Sequence, residues 1–309
     1  MIKRTIFLSK DAYLRTKNKQ MLIDFADKDL ETASVPIEDI GVVVMEAYQM
    51  TISLNLLTSL LENNVAVITC NRKKMPKGLL LNLEGNTLQQ ERFHEQISAS
   101  LPLKKQLWKQ TIQAKIHNQA ALLAKLGLSD NLYRGLPRNM RQWKESVQSG
   151  DPDNYEARAA AFYWRNIFKE YINDFIRGRE EAPPNNFLNY GYAVLRAVTA
   201  RALVASGLLP TFGIHHHNRY NAYALADDIM EPYRPYVDEI VYRMVTLKSI
   251  NKDYELSREM KAELLQIPAI DMTVNGEKSP LMIAMQRTTA SLYQCFAGEN
   301  RKIIYPEMQ

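Results

Sequence analysis

Over the first ninety or so residues the apolar positions fall in short runs between polar turns; beyond that point they recur at helical spacing. Arg4–Leu8, Gln20–Phe25 and residues 41–45 are brief, β-branched and apolar, bounded by Lys, Asp and Asn clusters, which is the pattern of strands. One amphipathic helix is predicted over residues 51–62, where Ile52, Leu54, Leu56, Leu57, Leu60 and Leu61 make a single stripe, and a strand over 65–69 follows at once. These elements predict a β-rich, mostly antiparallel domain over residues 1–90. A turn at 83–86 and a linker over 84–93 lead into segments rich in Gln, Lys, Ala and Leu. Helices are predicted there over 104–126, 156–176, 187–206 with Gly207 as the C-terminal cap, 222–247 and 280–297. The expected class is α+β: a small amino-terminal β-rich domain, then a larger all-helical domain over residues 91–309.

Size agrees with that division, because 309 residues exceed what one simple core usually organises. With 46% hydrophobic and 24% charged residues, the chain has the composition of a folded protein rather than a disordered one. Cys70 and Cys295 lie far apart with no second thiol at metal-ligand spacing, and are expected to be buried as small apolar residues. Lys10 and Asp11 interrupt the amino terminus before a signal-peptide apolar region could form, and no stretch approaches the length of a membrane span. A cytoplasmic protein with no membrane partner is expected.

A net charge of +5 does not by itself point to nucleic acid, but its placement is more informative. Between Leu101 and Gly150 stand nine basic residues, Lys104, Lys105, Lys109, Lys115, Lys125, Arg134, Arg138, Arg141 and Lys144, against Asp130 and Glu145. Trp108, Tyr133 and Trp143 are interleaved with them, a mixture able to contact phosphates and stack on unpaired bases. The alternative is a solvated helical face with its aromatics turned inward.

Three local patterns carry candidate chemistry. His215, His216 and His217 lie in a polar loop after Gly213, where an imidazole can bind a cation through one nitrogen while a neighbour orients the other; the alternative is an exposed cluster without a role. Asp227, Asp228 and Glu231 are spaced three and four apart, on one helical face, where a cation would relieve their repulsion; the alternative is a solvated acidic face at a helix start. Glu156 follows Asp153 by three ahead of an Ala-rich run, and local physics alone reads it as half of a capping box.

Taken together and in order, the motifs say more. Tyr-Glu-Ala-Arg-Ala-Ala-Ala-Phe-Tyr-Trp at 155–164, Gly-Ile-His-His at 213–216 and Leu-Ala-Asp-Asp-Ile-Met-Glu-Pro-Tyr-Arg-Pro at 225–235 resemble the CRISPR-associated integrases that catalyse spacer acquisition. Ile-Glu-Asp-Ile-Gly-Val-Val-Val at 37–44 is similar to that family's β domain, and Lys-Ser-Pro-Leu at 278–281 to its closing segment. The His-His-His-Asn and Ala-Asp-Asp runs are most similar to the members that accompany type II systems. The resemblance implies that Glu156, His216 and Glu231 hold one Mn²⁺ or Mg²⁺ and form the catalytic centre, His216 being the residue three after the glycine. It implies Asp228 as an outer partner or alternative ligand. Two carboxylates and an imidazole suit a divalent ion that prefers oxygen and accepts nitrogen.

The implied reaction is attack by the 3′-hydroxyl of a short DNA fragment on a phosphodiester at the edge of a repeat, an exchange of bonds that needs no nucleotide. The implied partners are double-stranded DNA, a second copy of the chain joined through the β-rich domain, a small second CRISPR adaptation subunit bridging two such dimers, and the RNA-guided effector nuclease of type II systems. Two rival functions are a metal-dependent endonuclease in which water replaces the hydroxyl, and a non-catalytic DNA-binding architectural protein.

Overall fold

The computed structural model describes residues 3–128, 137–172, 174–178, 182–248 and 255–309. The amino-terminal elements are β1 (Arg4–Leu8), β2 (Ala12–Lys17), β3 (Gln20–Phe25), β4 (Ala33–Pro36), β5 (Ile40–Met45), β6 (Thr51–Ile52), α1 (Leu54–Glu62), β7 (Ala66–Cys70) and β8 (Pro76–Leu80). Helix α1 starts three residues later than its apolar stripe suggests, because Thr51 and Ile52 pair with Tyr13 and Leu14 of β2 as a short strand. The Ser53 hydroxyl then caps the helix by accepting from the Leu56 amide at 3.3 Å.

These strands form two four-stranded sheets, ordered β1-β5-β7-β8 and β4-β3-β2-β6. The expectation of a mostly antiparallel domain is corrected here. β1 with β5, β5 with β7 and β2 with β6 are parallel, while β2 with β3, β3 with β4 and β7 with β8 are antiparallel. The reason is the crossover through α1, which returns the chain to the same end of the sheet and makes β5 and β7 run together. The run Val42-Val43-Val44 fits this position. Because successive side chains point to opposite faces, Val43 packs with Leu14, Leu56 and Leu60 between the sheets, while Val42 and Val44 pack against the helical region.

The remaining elements are α2 (Gln89–Ser98), α3 (Leu101–Lys125), α4 (Arg138–Ser146), α5 (Tyr155–Ile167), α6 (Asn185–Ala205), α7 (Ala224–Met230), α8 (Arg234–Lys248), α9 (Arg258–Leu264), the strands β9 (Asp271–Val274) and β10 (Glu277–Pro280), and α10 (Leu281–Phe296). The region is mainly helical rather than all-helical, since β9 and β10 pair as a hairpin. Its turn is Asn275-Gly276, both at positive φ (51° and 80°), the residues a two-residue hairpin turn favours. The helix expected over 222–247 is two helices joined by a 3₁₀ turn, Glu231–Tyr233, where Pro232 withholds an amide hydrogen from the ladder. The helix expected over 156–176 stops at Ile167, and the chain folds back so that Phe175 packs edge-on against Trp164 and Phe168. The predicted linker is itself docked and partly helical: Asn86 donates to the Ala205 carbonyl at 3.1 Å, and α2 starts at Gln89.

Helix α6 is apolar nearly all round and lies at the centre of the region, against α7, α8, α9 and α10. Helix α3 lies against α4, α5, α8 and the 3₁₀ turn, and so touches the elements that carry the candidate residues. Among the described residues no helix is long and apolar enough to cross a membrane.

Candidate active site

Four side chains on one face of α3 organise the site. Trp108, Thr111, Lys115 and Asn118 follow one another by three or four residues and therefore stack along a single stripe. Trp108 lies flat against the His215 ring, centroids 4.1 Å apart, and edge-on to His216. Thr111 shares a 2.8 Å hydrogen bond with the Tyr305 hydroxyl. Lys115 places its ammonium 2.7 Å from Glu156 Oε1 and 2.7 Å from Glu231 Oε2. The Asn118 amide donates to the carbonyls of Pro232 at 2.7 Å and Pro306 at 3.0 Å, tying the turn that carries Glu231 to the carboxyl-terminal tail.

Glu156 stands in the first turn of α5, but the capping box with Asp153 does not form. Asp151 is the capping residue: its two carboxylate oxygens accept from the amides of Tyr155 and Glu156, each at 2.9 Å. The Glu156 side chain is thereby left to reach Lys115. Glu231 is buried in the 3₁₀ turn between Lys115 and Arg234, whose guanidinium lies 2.9 Å from its other oxygen. Burial alone would push the Glu231 carboxyl up, but Arg234 and Lys115 outweigh it and hold the group below the usual carboxylate range. Lys115 mirrors this: burial opposes its charge, and Glu231 and Glu156 together raise it above an ordinary lysine.

Asp227, Asp228 and Glu231 do not form one acidic face. Each is buried and turned to a different partner, so neither the convergent cluster nor the solvated face describes them. Asp227 joins Arg196 at 2.6 Å and Asn221 at 2.8 Å. Asp228, fully buried, accepts from the His215 amide at 2.9 Å and pairs with His216 Nδ1. Gly213 permits this: a Cβ there would come within 2.6 Å of the His216 carbonyl and 2.7 Å of the Asp228 carboxylate. His216 is raised above an ordinary histidine, chiefly by the hydrogen bond it donates to the Asp228 carboxylate and despite partial burial. His215 is lowered by burial and by the charge of His216. His217 is exposed. The three histidines therefore have three fates: one stacked, one oriented by a carboxylate, one in solvent.

A model of the family CRISPR associated protein Cas1 matches residues 6–270, most of the chain. The chain belongs to the Cas1 family. The CRISPR-associated endonuclease Cas1 of Neisseria meningitidis serogroup C (strain 8013) is 32% identical over 302 residues, covering 97% of this chain and 94% of that protein. Among solved structures, a casposase bound to its integration product superposes with a TM-score of 0.79 at 19% identity, over 97% of this chain and 92% of that one. A Cas6-RT-Cas1–Cas2 complex superposes with a TM-score of 0.74 at 18% identity, covering all of this chain and 37% of that one. These two structures share the fold described above.

Within this member of the Cas1 family the donors fit a divalent cation in kind. Glu231 Oε2 is buried and makes no aligned hydrogen bond, although the Lys115 ammonium lies beside it. His216 has Nδ1 engaged by Asp228, which leaves Nε2 as its second nitrogen. Among the described residues no three His, Cys, Asp or Glu side chains stand together as a metal cage, and the ammonium of Lys115 bridges the two glutamates instead.

Sequence reasoning missed Lys115 and Arg234 as parts of the site, and read Lys115 and Trp108 either as DNA contacts or as a solvated lysine beside an inward-turned aromatic; the inward alternative holds for Trp108, and neither holds for Lys115. Both are buried, 7% and 1% exposed, so neither can touch a DNA backbone or stack on a base. The apolar residues around each one, Ile112 and Ile116 above all, were the available signal for an inward face. Lys104, Lys105, Lys109, Arg138, Arg141 and Lys144 remain accessible on α3 and α4. Asp130, Tyr133 and Arg134 lie outside the described residues.

Proposed function

We propose that this protein is a metal-dependent DNA integrase that inserts short fragments into a CRISPR array, with Glu156, His216 and Glu231 as its catalytic centre. The observation that carries this reading is that Glu156, from α5, and Glu231, from the 3₁₀ turn, meet on the buried Lys115 ammonium, within electrostatic reach of His216, which Asp228 orients. Glu156, Glu231 and the Nε2 of His216 would hold Mn²⁺ or Mg²⁺. When bound, such an ion would supply charge stabilisation at the scissile phosphate.

The protein's own groups do the rest. Asp228 fixes the His216 ring and anchors the loop through the amides of His215 and His216. Arg234 and Lys115 keep Glu231 ionised, so that it remains a ligand at any physiological pH. Accessible lysines and arginines of α3 and α4 hold the DNA backbone next to this centre. The 3′-oxygen of the incoming fragment forms a new bond to phosphorus as the target strand's 3′-oxygen departs, one phosphodiester replacing another.

Relatives support this assignment: one is named an endonuclease, and a casposase sharing the fold is bound to an integration product. The neighbouring Cas1–Cas2 complex supports a small second adaptation subunit as partner. In this reading the region over residues 1–90 joins two copies of the chain and residues 91–309 form the catalytic domain, the RNA-guided effector nuclease of type II systems is a further partner, and the protein works in the cytoplasm.

Strand transfer tests it: labelled duplex and supercoiled repeat-bearing plasmid in Mn²⁺, Mg²⁺ or EDTA, with and without the small subunit. Label should join plasmid only with metal, and Glu156→Ala or His216→Ala should lower joining at least ~100-fold while duplex binding in a gel shift persists. Nicked plasmid without joined label would make the protein an endonuclease, and no metal-dependent product would make it a binding protein.

A further inference from the structure

An ammonium group is costly to bury, and it is retained inside proteins when its partners repay the lost hydration. Lys115 has such partners, and they are the two glutamates assigned above as metal ligands. Its side chain is 9% exposed, and its nitrogen stands 2.7 Å from an oxygen of each. Without a cation at that point two carboxylates from different helices would face each other and repel. Glu231 has a second cation, Arg234, on its other oxygen, and Arg234 is itself held over the Tyr192 ring at 4.9 Å. Among the described residues, the cation paired with Glu156 is the Lys115 ammonium.

The contact with Glu231 Oε2 also has the geometry of an ion more than that of a directed donor. The atoms are 2.7 Å apart, yet Oε2 has no aligned hydrogen bond.

We propose that Lys115 is a tethered surrogate for the metal: with no metal bound its ammonium takes the seat between Glu156 and Glu231, holds α5 and the 3₁₀ turn in register, and sets divalent-ion affinity by competing for that seat. The proposal rests on the reading of Glu156 and Glu231 as ligands. Lys115 is a positioning residue in this scheme; it does not touch DNA.

The test is Mn²⁺ binding to the full chain, followed by calorimetry and by the loss of the free-ion EPR signal, together with thermal unfolding in EDTA and in Mn²⁺. Lys115→Met should unfold at lower temperature than wild type in EDTA, gain more from Mn²⁺, and bind Mn²⁺ about tenfold tighter or more, because a neighbouring positive charge has gone. Lys115→Arg, which keeps the charge, should bind no tighter than wild type. Glu156→Gln should bind more weakly. If Lys115→Met is unfolded in EDTA and folds when Mn²⁺ is added, the surrogate role is upheld in its extreme form; if it stays unfolded with Mn²⁺, the lysine serves the fold alone and the proposal is wrong. Lys115→Met binding Mn²⁺ no tighter than wild type, with Glu156→Gln weakened, overturns the competition and leaves the ligand assignment standing. Unchanged binding in Glu156→Gln removes the ligand assignment, and the proposal with it.

Discussion

The two-sheet region and the helical region bury different kinds of surface. Within strands β1 to β8 the core is Leu14, Met21, Ile23, Leu56, Leu60 and their apolar neighbours, and Glu46 is the one charged side chain buried among the described residues there. Even Glu46 is paired outward, with Lys261 of α9. The helical region buries Lys115, Asp227, Asp228, Glu231 and Asp238 inside an otherwise apolar core. Buried charges contribute little net stability even when paired, so a core that keeps several of them is shaped by something other than stability. The difference teaches where to look for chemistry: in the part of the molecule that gives up apolar packing to hold ionised groups in place.

Truncation gives the largest contrast. Leu56→Ala should cost about 2–5 kcal/mol of stability and leave strand transfer per folded molecule unchanged. Asn118→Ala strips the hydrogen bonds to Pro232, Pro306 and the Met308 amide. It should cost about 3 kcal/mol and also slow transfer, because Pro232 adjoins Glu231. Denaturant unfolding beside single-turnover rates would check both, and equal rate losses in the two variants would erase the distinction between the regions.

A smaller effect concerns pH. Asp238 is pushed up to about 6 by burial, against the opposing hydrogen bonds from Tyr192 and Tyr163. Its folded value lies above its unfolded one, so its contribution to stability is fully present below about pH 4 and is lost as pH rises through about 6. Asp238→Asn removes that loss. Relative to wild type, the variant should gain up to about 3 kcal/mol between pH 4 and pH 7, read as the difference in unfolding free energy at the two pH values. A difference that stays flat across that range would show that the carboxyl titrates normally.

The smallest effect separates two helix caps. Ser53→Ala and Asp151→Ala should each cost about 1 kcal/mol. Only Asp151→Ala should also depress strand transfer, since that cap sets the turn from which Glu156 projects. If both caps alter transfer equally, local capping does not position the glutamate.

Much of the architecture was legible locally. The strands Arg4–Leu8 and Gln20–Phe25 fall where alternation and β-branching put them, and Gly207, at φ 69°, follows α6 where a C-terminal glycine was expected. The parallel pairings were not legible to strand patterning alone, although the helix between β5 and β7 signals them. The β9–β10 hairpin also left a readable mark in Asn275-Gly276. The ordered motifs named Glu156, His216, Glu231 and Asp228 as the proposed site, but spacing within 227–231 suggested one shared face where the fold supplies three separate partners.

Local order is written along the chain: which segments alternate, which repeat at helical spacing, where Gly207 ends α6, and which motifs mark the family. That Lys115 turns inward to join Glu156, 41 residues away, and Glu231 on a third element is set by packing across the whole fold. The physical reason is range. Periodicity reports how a residue stands relative to its neighbours along one helix, whereas the partner of a buried charge is set by which helices the whole core packs side by side.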